Sequence, residues 1–493
     1  MKRTLAIIAC LLLNGALFGQ DKGAADKKLK AGQYFSALQI YKQLHTNAPD
    51  DTELNFNLGV CYYNLKDYAK SEEHFLKSSS QVSLELFRYK AGIAHATMKF
   101  KKAINFYNAY KLIAGNKDLT NDQINQEIEK VKFAEQAITL SRNVLIQNFT
   151  EVNTENLQSC PHIVADESSL IYCSASTSGK LDANGEPQAL IFAVDHKENS
   201  WQQPKILLDG VNVEGNNHVA GLSTDGQTMF IERDGDIYQS KMGIDGWDTP
   251  VKLGENINSK YNESGVTITL DDKVMYFVSD RPGGFGGKDI YKVLRLPNGE
   301  WSKALNLGPI INTPYDEEAP FIHSDRMTLY FSSKGHQNMG GYDVFRSVLE
   351  DRVWSSPENL KYPVNTVDDD LYYSLIASGK VAYVAGHRDD GKGSSDIYRI
   401  VLKDEFQQYH VLNAVVKGKD IPIAAKITLI DDATKKVHGI YKSNVKTGKF
   451  IMLIDPEKSY SIVVEADNYT SHSSKLNFDV NKEETLEYKL DAK

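Results

Sequence analysis

The chain of 493 residues contains only four cysteines and four tryptophans, and its basic residues are outnumbered by its acidic ones. Lysine and arginine total 56 against 65 aspartates and glutamates, which gives a net charge of −9. Nucleic-acid binders need a basic surface that displaces counterions, so this balance argues against that class. The 10% of aromatic residues is too much apolar surface for a mainly disordered chain. One apolar run stands out, and it lies at the N-terminus.

That run has the three parts of a secretory signal peptide. Lys2 and Arg3 precede the apolar stretch 4–18, and the sequence turns polar after Gly19. Residues 1–20 are therefore predicted to be a signal peptide, too short to span a bilayer. A second interpretation stays open, in which Cys10 belongs to a lipoprotein box and carries a lipid. Either way we expect export to the periplasm, with possible association with the outer membrane and no direct membrane span.

Two cysteines lie on either side of a turn. Cys160 and Cys173 flank Asp166-Glu167-Ser168 and would face each other in an antiparallel hairpin. An oxidising compartment permits a disulfide between them. The alternative is a pair of reduced thiols in the core.

Residues 21–142 show apolar residues at helical spacing and a longer repeat above it. Tyr41, Phe75 and Tyr107 occupy the same place in three similar segments, 34 and 32 residues apart. This pattern resembles the tetratricopeptide repeat, in which small residues let paired helices approach and an aromatic residue fills the gap. We expect about three copies, with a capping helix near 119–142.

The repeat resemblance implies a solenoid with a peptide-binding groove. Carried over by position, the candidate groove residues are Phe56, Tyr63, Arg88 and His95. For Phe56 and Tyr63 the alternative is a place in the core between repeats.

Residues 143–402 hold two periodic series. The tryptophans lie 46, 54 and 53 residues apart, at Trp201, Trp247, Trp301 and Trp354. Aspartates that begin an Asp-Ile-Tyr element lie 53, 54 and 53 residues apart, at Asp236, Asp289, Asp343 and Asp396. Units of this size with short aromatic and β-branched runs are typical of propeller blades. The unit resembles the WD40-like PD40 repeat, most clearly at Tyr276–Gly284, and we predict a five-bladed β-propeller.

The last propeller unit lacks one strand. Residues 145–149 of the preceding chain look like the missing piece, so we expect them to form the outermost strand of the last blade and close the ring. Arg281 and Arg388 each lie eight residues before their aspartate and should be equivalent. With Lys334 they would form a cationic ring on one face. The alternative is a solvated or salt-bridged loop.

The segment 408–493 shows strand-like runs separated by glycine and asparagine turns. Its Thr447-Gly448-Lys449-Phe450 turn and Asn468-Tyr469 pair resemble the carboxypeptidase regulatory-like domain, which implies a β-sandwich without catalysis. The predicted fold class is therefore multidomain α plus all-β: helical repeats, propeller and sandwich.

Patterns of known catalytic and metal-binding sites are missing from the sequence. There is no Gly-x-Ser-x-Gly, no His-Glu-x-x-His, no phosphate-binding glycine loop and no Cys-x-x-Cys. We therefore predict no enzyme activity, no metal and no cofactor. Segment 21–142 carries about +4 and segment 143–493 about −15, which disfavours direct binding to anionic lipid.

The order of signal peptide, tetratricopeptide repeats, PD40-like propeller and regulatory-like sandwich resembles the PorE-like envelope proteins of the type IX secretion and gliding machinery of Bacteroidota. Those proteins usually continue into an OmpA-like peptidoglycan-binding domain, which this sequence does not contain. The resemblance implies a non-catalytic periplasmic scaffold whose partners are outer-membrane, secretion or peptidoglycan-associated proteins. The alternative is a propeller that binds or hydrolyses glycans or peptidoglycan fragments. Paired carboxylates at the central channel would favour the alternative, and apolar or amide side chains would favour the scaffold.

Overall fold

The computed structural model describes residues 21–78, 84–114, 119–175, 181–182, 187–208, 210–213, 216–403, 409–479 and 485–493. The predicted signal peptide, including Cys10, lies outside these residues. The chain divides into a helical unit that ends at Thr139 and a strand-rich unit formed by Leu140–Ala175 and Ala189–Lys493. No helix among the described residues is long and apolar enough to cross a membrane.

The helical unit is built from seven described helices. They are α1 (21–30), α2 (Tyr34–Asn47), α3 (Thr52–Asn64), α4 (Tyr68–Lys77), α5 (Leu84–Ala96), α6 (Phe100–Ala114) and α7 (Asn121–Thr139). Aspartates cap two of them. The Asp51 carboxylate accepts from the backbone N–H groups of Glu53 and Leu54, both at 2.9 Å, and Asp67 caps α4 through Lys70 N–H.

Small residues let these helices pack closely. A Cβ on Gly59 would lie 2.6 Å from the Phe75 ring, and a Cβ on Gly92 would lie 2.3 Å from the Tyr63 hydroxyl. Phe75 and Tyr107 are buried, 1% and 5% exposed. The aromatic residues at the repeat positions therefore fill the gap between paired helices, as the sequence predicts.

The described residues of the strand-rich unit form seven sheets. Sheets I to V take the first 22 strands: β1 (Val144–Asn148), β2 (Gln158–Ile163), β3 (Ser169–Ala175), β4 (Ala189–Lys197), β5 (Ser200–Trp201), β6 (Lys205–Ile206), β7 (His218–Leu222), β8 (Thr228–Arg233), β9 (Asp236–Lys241), β10 (Val251–Lys252), β11 (Glu263–Ile268), β12 (Val274–Ser279), β13 (Asp289–Leu294), β14 (Leu305–Asn306), β15 (Glu317–Ile322), β16 (Thr328–Ser333), β17 (Asp343–Glu350), β18 (Val353–Trp354), β19 (Glu358–Asn359), β20 (Asp370–Leu375), β21 (Val381–Gly386) and β22 (Asp396–Leu402).

Each of these five sheets is antiparallel, and in sheets I to IV the main strands follow one another in chain order. The orders are β2-β3-β4-β5 with β6 on β4 (sheet I), β7-β8-β9-β10 (II), β11-β12-β13-β14 (III), β15-β16-β17-β18 with β19 on β17 (IV) and β20-β21-β22-β1 (V). The segment before the first sheet thus supplies the outer strand of the last one. Val144 pairs with Leu402 and Asn148 with Tyr398, which confirms the strand exchange predicted from the sequence.

The five sheets form a closed cycle. Five core clusters are each shared by two neighbouring sheets, and one of them joins sheet V to sheet I through Tyr383, Ile397, Leu170 and Tyr172. The first strand of each sheet contacts the first strands of both neighbours. This is a propeller-like arrangement in which β2, β7, β11, β15 and β20 lie innermost.

The remaining strands form two sheets in the same unit: β23 (His410–Gly418), β24 (Ile421–Pro422), β25 (Lys426–Asp431), β26 (Val437–Lys442), β27 (Lys449–Ile454), β28 (Tyr460–Glu465), β29 (His472–Lys475) and β30 (Thr485–Leu490). Sheet VI has β24-β23-β27 with β30 parallel to β23, and sheet VII has the order β26-β25-β28-β29. One core cluster contains residues of both sheets, including Val416, Phe450, Ile427 and Ile462.

Sheet VI packs against one end of the cycle. Ile451 and Leu453 of β27 lie in a buried cluster with Ala165 and Ala377, which belong to the turns after β2 and β20. Asn413 donates to the Asp166 carboxylate at 3.1 Å. We call the end of the cycle that carries these turns the turn face. The loops between the second and third strands lie at the opposite end, the loop face.

Candidate functional site

An asparagine clamp recurs at the corner before each innermost strand. The side chain of Asn312 accepts from Ile290 N–H at 2.8 Å and donates to Ile290 C=O at 3.0 Å, so the amide pairs with the third strand as a further strand would. Equivalent pairs of bonds join Asn153 to Ile397, Asn212 to Ile191, Asn258 to Ile237 and Asn365 to Val344. These asparagines hold consecutive sheets in register.

The aspartate of the Asp-Ile-Tyr element holds the loop face in place. Asp289 accepts from Phe285 N–H at 2.6 Å and Gly286 N–H at 3.1 Å, and Asp343 accepts from Met339 N–H at 2.8 Å. The isoleucine that follows is buried between sheets, as Ile290 and Ile397 are. This periodic element therefore has a structural role.

Two of the three residues of the predicted cationic ring, Arg281, Lys334 and Arg388, form ion pairs with buried carboxylates. Arg281 bonds the buried Glu263 carboxylate at 3.1 Å, and Arg388 bonds Asp370 at 3.0 Å. Their side chains are only 17% and 11% exposed. Each also donates to the backbone carbonyl that precedes a clamp asparagine, Ile257 or Val364. The two arginines are equivalent, as expected, but they are buried structural groups.

Lys334 differs from the two arginines. Its side chain is 42% exposed, lies 3.2 Å from the Asp316 carboxylate and 4.5 Å from the centre of the Tyr342 ring. It does not share their position, because Gly335 stands where Arg281 and Arg388 stand relative to their strands. Only Lys334 of the three offers charge at the loop face.

Six side chains from all five sheets meet where the innermost strands begin. We call Cys160, His218, Glu232, Lys288, Glu318 and Tyr372 the central cluster. Lys288 contacts the Glu318 carboxylate, which also accepts from Ser264 at 3.2 Å. His218 lies 3.0 Å from Glu232, and the interaction with Cys160, together with burial, raises the pKa of the Tyr372 hydroxyl.

The central cluster is polarised. Burial alone would lower the pKa of Lys288 and of His218, but the contacts with Glu318 and Glu232 outweigh it, so both pKa values are raised. Hydrogen bonding with Cys173, together with the charge of His218, lowers the pKa of Cys160 to about 7 despite burial. Burial and the hydrogen bond with Cys160 raise the pKa of Cys173. The cluster therefore brings together two contacts between a basic side chain and a carboxylate, and a thiol whose pKa is lowered.

Cys160 and Cys173 are both buried free thiols in the structure. The hairpin prediction expects the two cysteines to face each other. They do not, because a β-bulge shifts the register between their strands. Ser159 pairs with Cys173, and Cys160 lies within the bulge with a φ of 51°. The inner strands of the other sheets have the same irregularity, so it belongs to the architecture.

The predicted peptide groove of the helical unit is only partly exposed. Phe56 and Tyr63 are half-buried and pack on Tyr89, with ring centroids 6.1 Å and 5.1 Å apart. The Arg88 guanidinium lies 5.2 Å from the same ring. His95 is 6% exposed and contacts Phe100 instead. His95 therefore does not line an exposed groove, whereas Phe56 and Tyr63 pack against the core between the repeats with part of each ring exposed.

The sequence reasoning missed Tyr89 and the central cluster. The sequence does contain a pattern beside the cluster, in which a serine or threonine precedes a carboxylate residue by four positions. The pairs are Ser259 and Glu263, Thr313 and Glu317, and Thr366 and Asp370. In each pair the hydroxyl residue bonds the carboxylate that begins the innermost strand. The next residue, such as Glu318, then faces the neighbouring sheet.

Comparisons with known proteins find one family model that matches part of the helical unit and several solved structures of low similarity. Residues 28–82 match the tetratricopeptide repeat model. No curated protein matches the chain. One similar solved structure is a Penicillium chrysogenum alpha-L-arabinanase complexed with arabinobiose, with 10% sequence identity and a TM-score of 0.32 over 51% of this chain and 95% of that one. Another is a Bacteroides ovatus glycosyl hydrolase, with 10% sequence identity and a TM-score of 0.33 over 52% of this chain and 86% of that one. A luciferin-regenerating enzyme is similar at 13% identity and a TM-score of 0.31, over 52% of this chain and 95% of that one. At these TM-scores the similarities assign neither an activity nor a substrate.

Proposed function

We propose that this protein is a non-catalytic scaffold of the bacterial cell envelope that binds other proteins through its helical repeats and through the loop face. The tetratricopeptide repeat match over residues 28–82 carries this proposal, because such repeats generally mediate protein–protein interaction. The order of segments, which resembles that of PorE-like proteins, favours a role beside the type IX secretion or gliding machinery.

We assign sheets I to V as a five-bladed β-propeller and sheets VI and VII as the regulatory-like β-sandwich. The cyclic contacts of the innermost strands and the pairing of β1 with β22 support the first assignment. The shared core of the two last sheets supports the second. Because sheet VI covers part of the turn face, the loop face is the surface of the propeller that a partner protein reaches.

The loop face offers charge rather than a catalytic arrangement. Lys288 and Lys334 are 38% and 42% exposed, and each lies beside a carboxylate. Such half-exposed charges set the orientation and specificity of a protein interface more than its affinity. We therefore expect Lys288→Glu with Lys334→Glu to disrupt the interface.

The alternative function, binding or hydrolysis of glycans, has one observation in its favour. Glu232 and Glu318 lie in the central cluster, and carboxylates there are what a glycosidase would use. Each already contacts a basic side chain, His218 or Lys288, which suits a structural role. Calorimetric titration with peptidoglycan fragments tests this function, since binding that is lost in Glu318→Gln would establish it.

Export to the periplasm is part of the proposal and has its own test. The intact mass of the protein from envelope fractions distinguishes cleavage near Gln20 from lipid on Cys10. The same measurement with and without reductant and alkylation reports whether Cys160 and Cys173 are oxidised in that compartment. A protein that keeps residues 1–20 and fractionates with the cytoplasm would contradict the envelope location.

Affinity purification from solubilised envelopes tests the scaffold function. We expect the tagged protein to recover outer-membrane or secretion components that Lys288→Glu with Lys334→Glu no longer recovers. Lys417→Glu with Lys489→Glu in sheet VI is the control with the same change of charge. Recovery no greater than that of an untagged strain would overturn the proposal.

A further inference from the structure

Helices α4, α5 and α6 enclose a groove of about 230 Å³ on the surface of the helical unit. Its lining does not include any of the four groove residues predicted from the sequence. We call it the α4–α6 groove. It is therefore a second surface of the repeats, separate from the Phe56–Tyr63 side.

The floor of the α4–α6 groove is apolar. Phe75 and Ile93 are buried beneath it, and Phe106 forms one wall. Leu76 stands at the edge with 63% of its surface exposed. An apolar cavity of about 150 Å³ takes up a benzene molecule, so this groove has room for one leucine or aromatic side chain. Such a side chain would also cover Leu76.

The rim of the groove is cationic. Lys90, Lys99 and Lys102 line it together with one carboxylate, Glu72, which lies 3.6 Å from Lys102. Among the ion pairs between described residues of the helical unit, which are those of Lys22, Lys70, Lys77, Lys102, Lys130 and Lys132, none involves Lys90 or Lys99. The rim therefore has an excess of positive charge above an apolar floor.

We propose that the α4–α6 groove binds a short segment of a partner protein in which a leucine or aromatic residue is flanked by aspartates or glutamates. The apolar side chain occupies the floor, and the flanking carboxylates pair with Lys90 and Lys99. This inference rests on the proposed scaffold function and names the chemistry of one of its partners. Specific binding needs both the apolar side chain and the carboxylates. Exposed ion pairs alone contribute little free energy of binding, and one buried apolar side chain alone does not discriminate between partners.

The test is fluorescence anisotropy of the full chain with three labelled peptides: Asp-Asp-Phe-Asp-Asp, Asp-Asp-Gly-Asp-Asp and Lys-Lys-Phe-Lys-Lys. We expect the first to bind about tenfold or more tightly than the other two, and raised salt to weaken it. Lys90→Glu with Lys99→Glu should weaken it about tenfold, and Leu76→Ser about threefold.

The matched control is Lys30→Glu with Lys101→Glu, which changes the charge of the helical unit equally at two exposed sites outside the groove. We expect it to change the affinity less than about twofold. Equal binding of the three peptides, or equal loss in the control, overturns the inference. Should that occur while the wild-type chain still recovers envelope proteins, only this inference fails and the scaffold function stands.

Discussion

At the residue scale, equivalent positions in different sheets have different charge partners. Glu263, Glu317 and Asp370 each begin an innermost strand with a fully buried carboxyl group. Glu263 and Asp370 pair with arginines, but the sheet of Glu317 has Gly335 at that place. Burial raises the pKa of Glu317 to about 7 although Thr313 and Ser333 donate hydrogen bonds to it, and it raises the pKa of Asp370 to about 6 although Arg388 lies beside that carboxyl.

The same substitution should accordingly have opposite effects at two positions. Glu317→Gln should preserve or increase stability at pH 7, because Gln158 already makes the equivalent contacts in sheet I, accepting from Thr154 N–H at 3.0 Å. Glu263→Gln should cost about 3 kcal/mol, because it leaves the largely buried Arg281 without its carboxylate. Chemical denaturation of both variants measures this difference. Equal destabilisation of the two would contradict the charge assignment.

The raised pKa of Glu317 also predicts a pH dependence. The folded carboxyl holds its proton to about pH 7, whereas the unfolded one releases it near pH 4.5. The folded state therefore binds more protons between these values, and this group removes stability as pH rises through that window, by up to about 3 kcal/mol. Denaturation midpoints of the wild type and Glu317→Gln, measured across the window, should converge at low pH and separate towards pH 7. Parallel curves would refute the prediction.

At the scale of elements, β1 joins the last sheet to the chain that precedes the first. Ile146 packs against the core shared by sheets IV and V, whereas Leu145 on the other side of the strand is 47% exposed. Ile146→Asp should therefore lower the free energy of unfolding by about 2–3 kcal/mol, and Leu145→Asp by less than about 0.5 kcal/mol. Thermal denaturation of the two variants gives the comparison. A similar effect of both would show that β1 does not close the cycle.

Periodic patterns along the chain predicted these elements more readily than the contacts between them. The 53-residue spacing of the Asp-Ile-Tyr element and the strand-like run 145–149 were sufficient to predict the exchange of β1. The bulge at Cys160 was not predictable, because Cys160 adopts a left-handed conformation within a strand, where the sequence has no glycine. The burial of His95 and the central cluster depend on neighbours distant in sequence, so the spacing of residues did not reveal them.

At the scale of the strand-rich unit, the contact between sheet VI and the turn face should make the two parts unfold together. Ile451 is buried in this contact, whereas Val437 of sheet VII is 56% exposed. Calorimetry should show one transition for the unit in the wild type and in Val437→Asp. In Ile451→Asp an additional transition should appear, because the buried charge separates the parts. An unchanged profile for Ile451→Asp would mean that the contact contributes little to stability.

The central claim is that the loop face and the helical repeats bind envelope proteins, and photo-cross-linking in intact cells tests it most directly. A photoreactive amino acid replaces Tyr342 beside Lys334 on the loop face, Leu76 at the α4–α6 groove, or Val437 on sheet VII as the control. We expect discrete cross-links to envelope proteins from the first two positions and not from the third. Cells in which none of the three positions forms a cross-link above background, with the protein folded and exported, would contradict it.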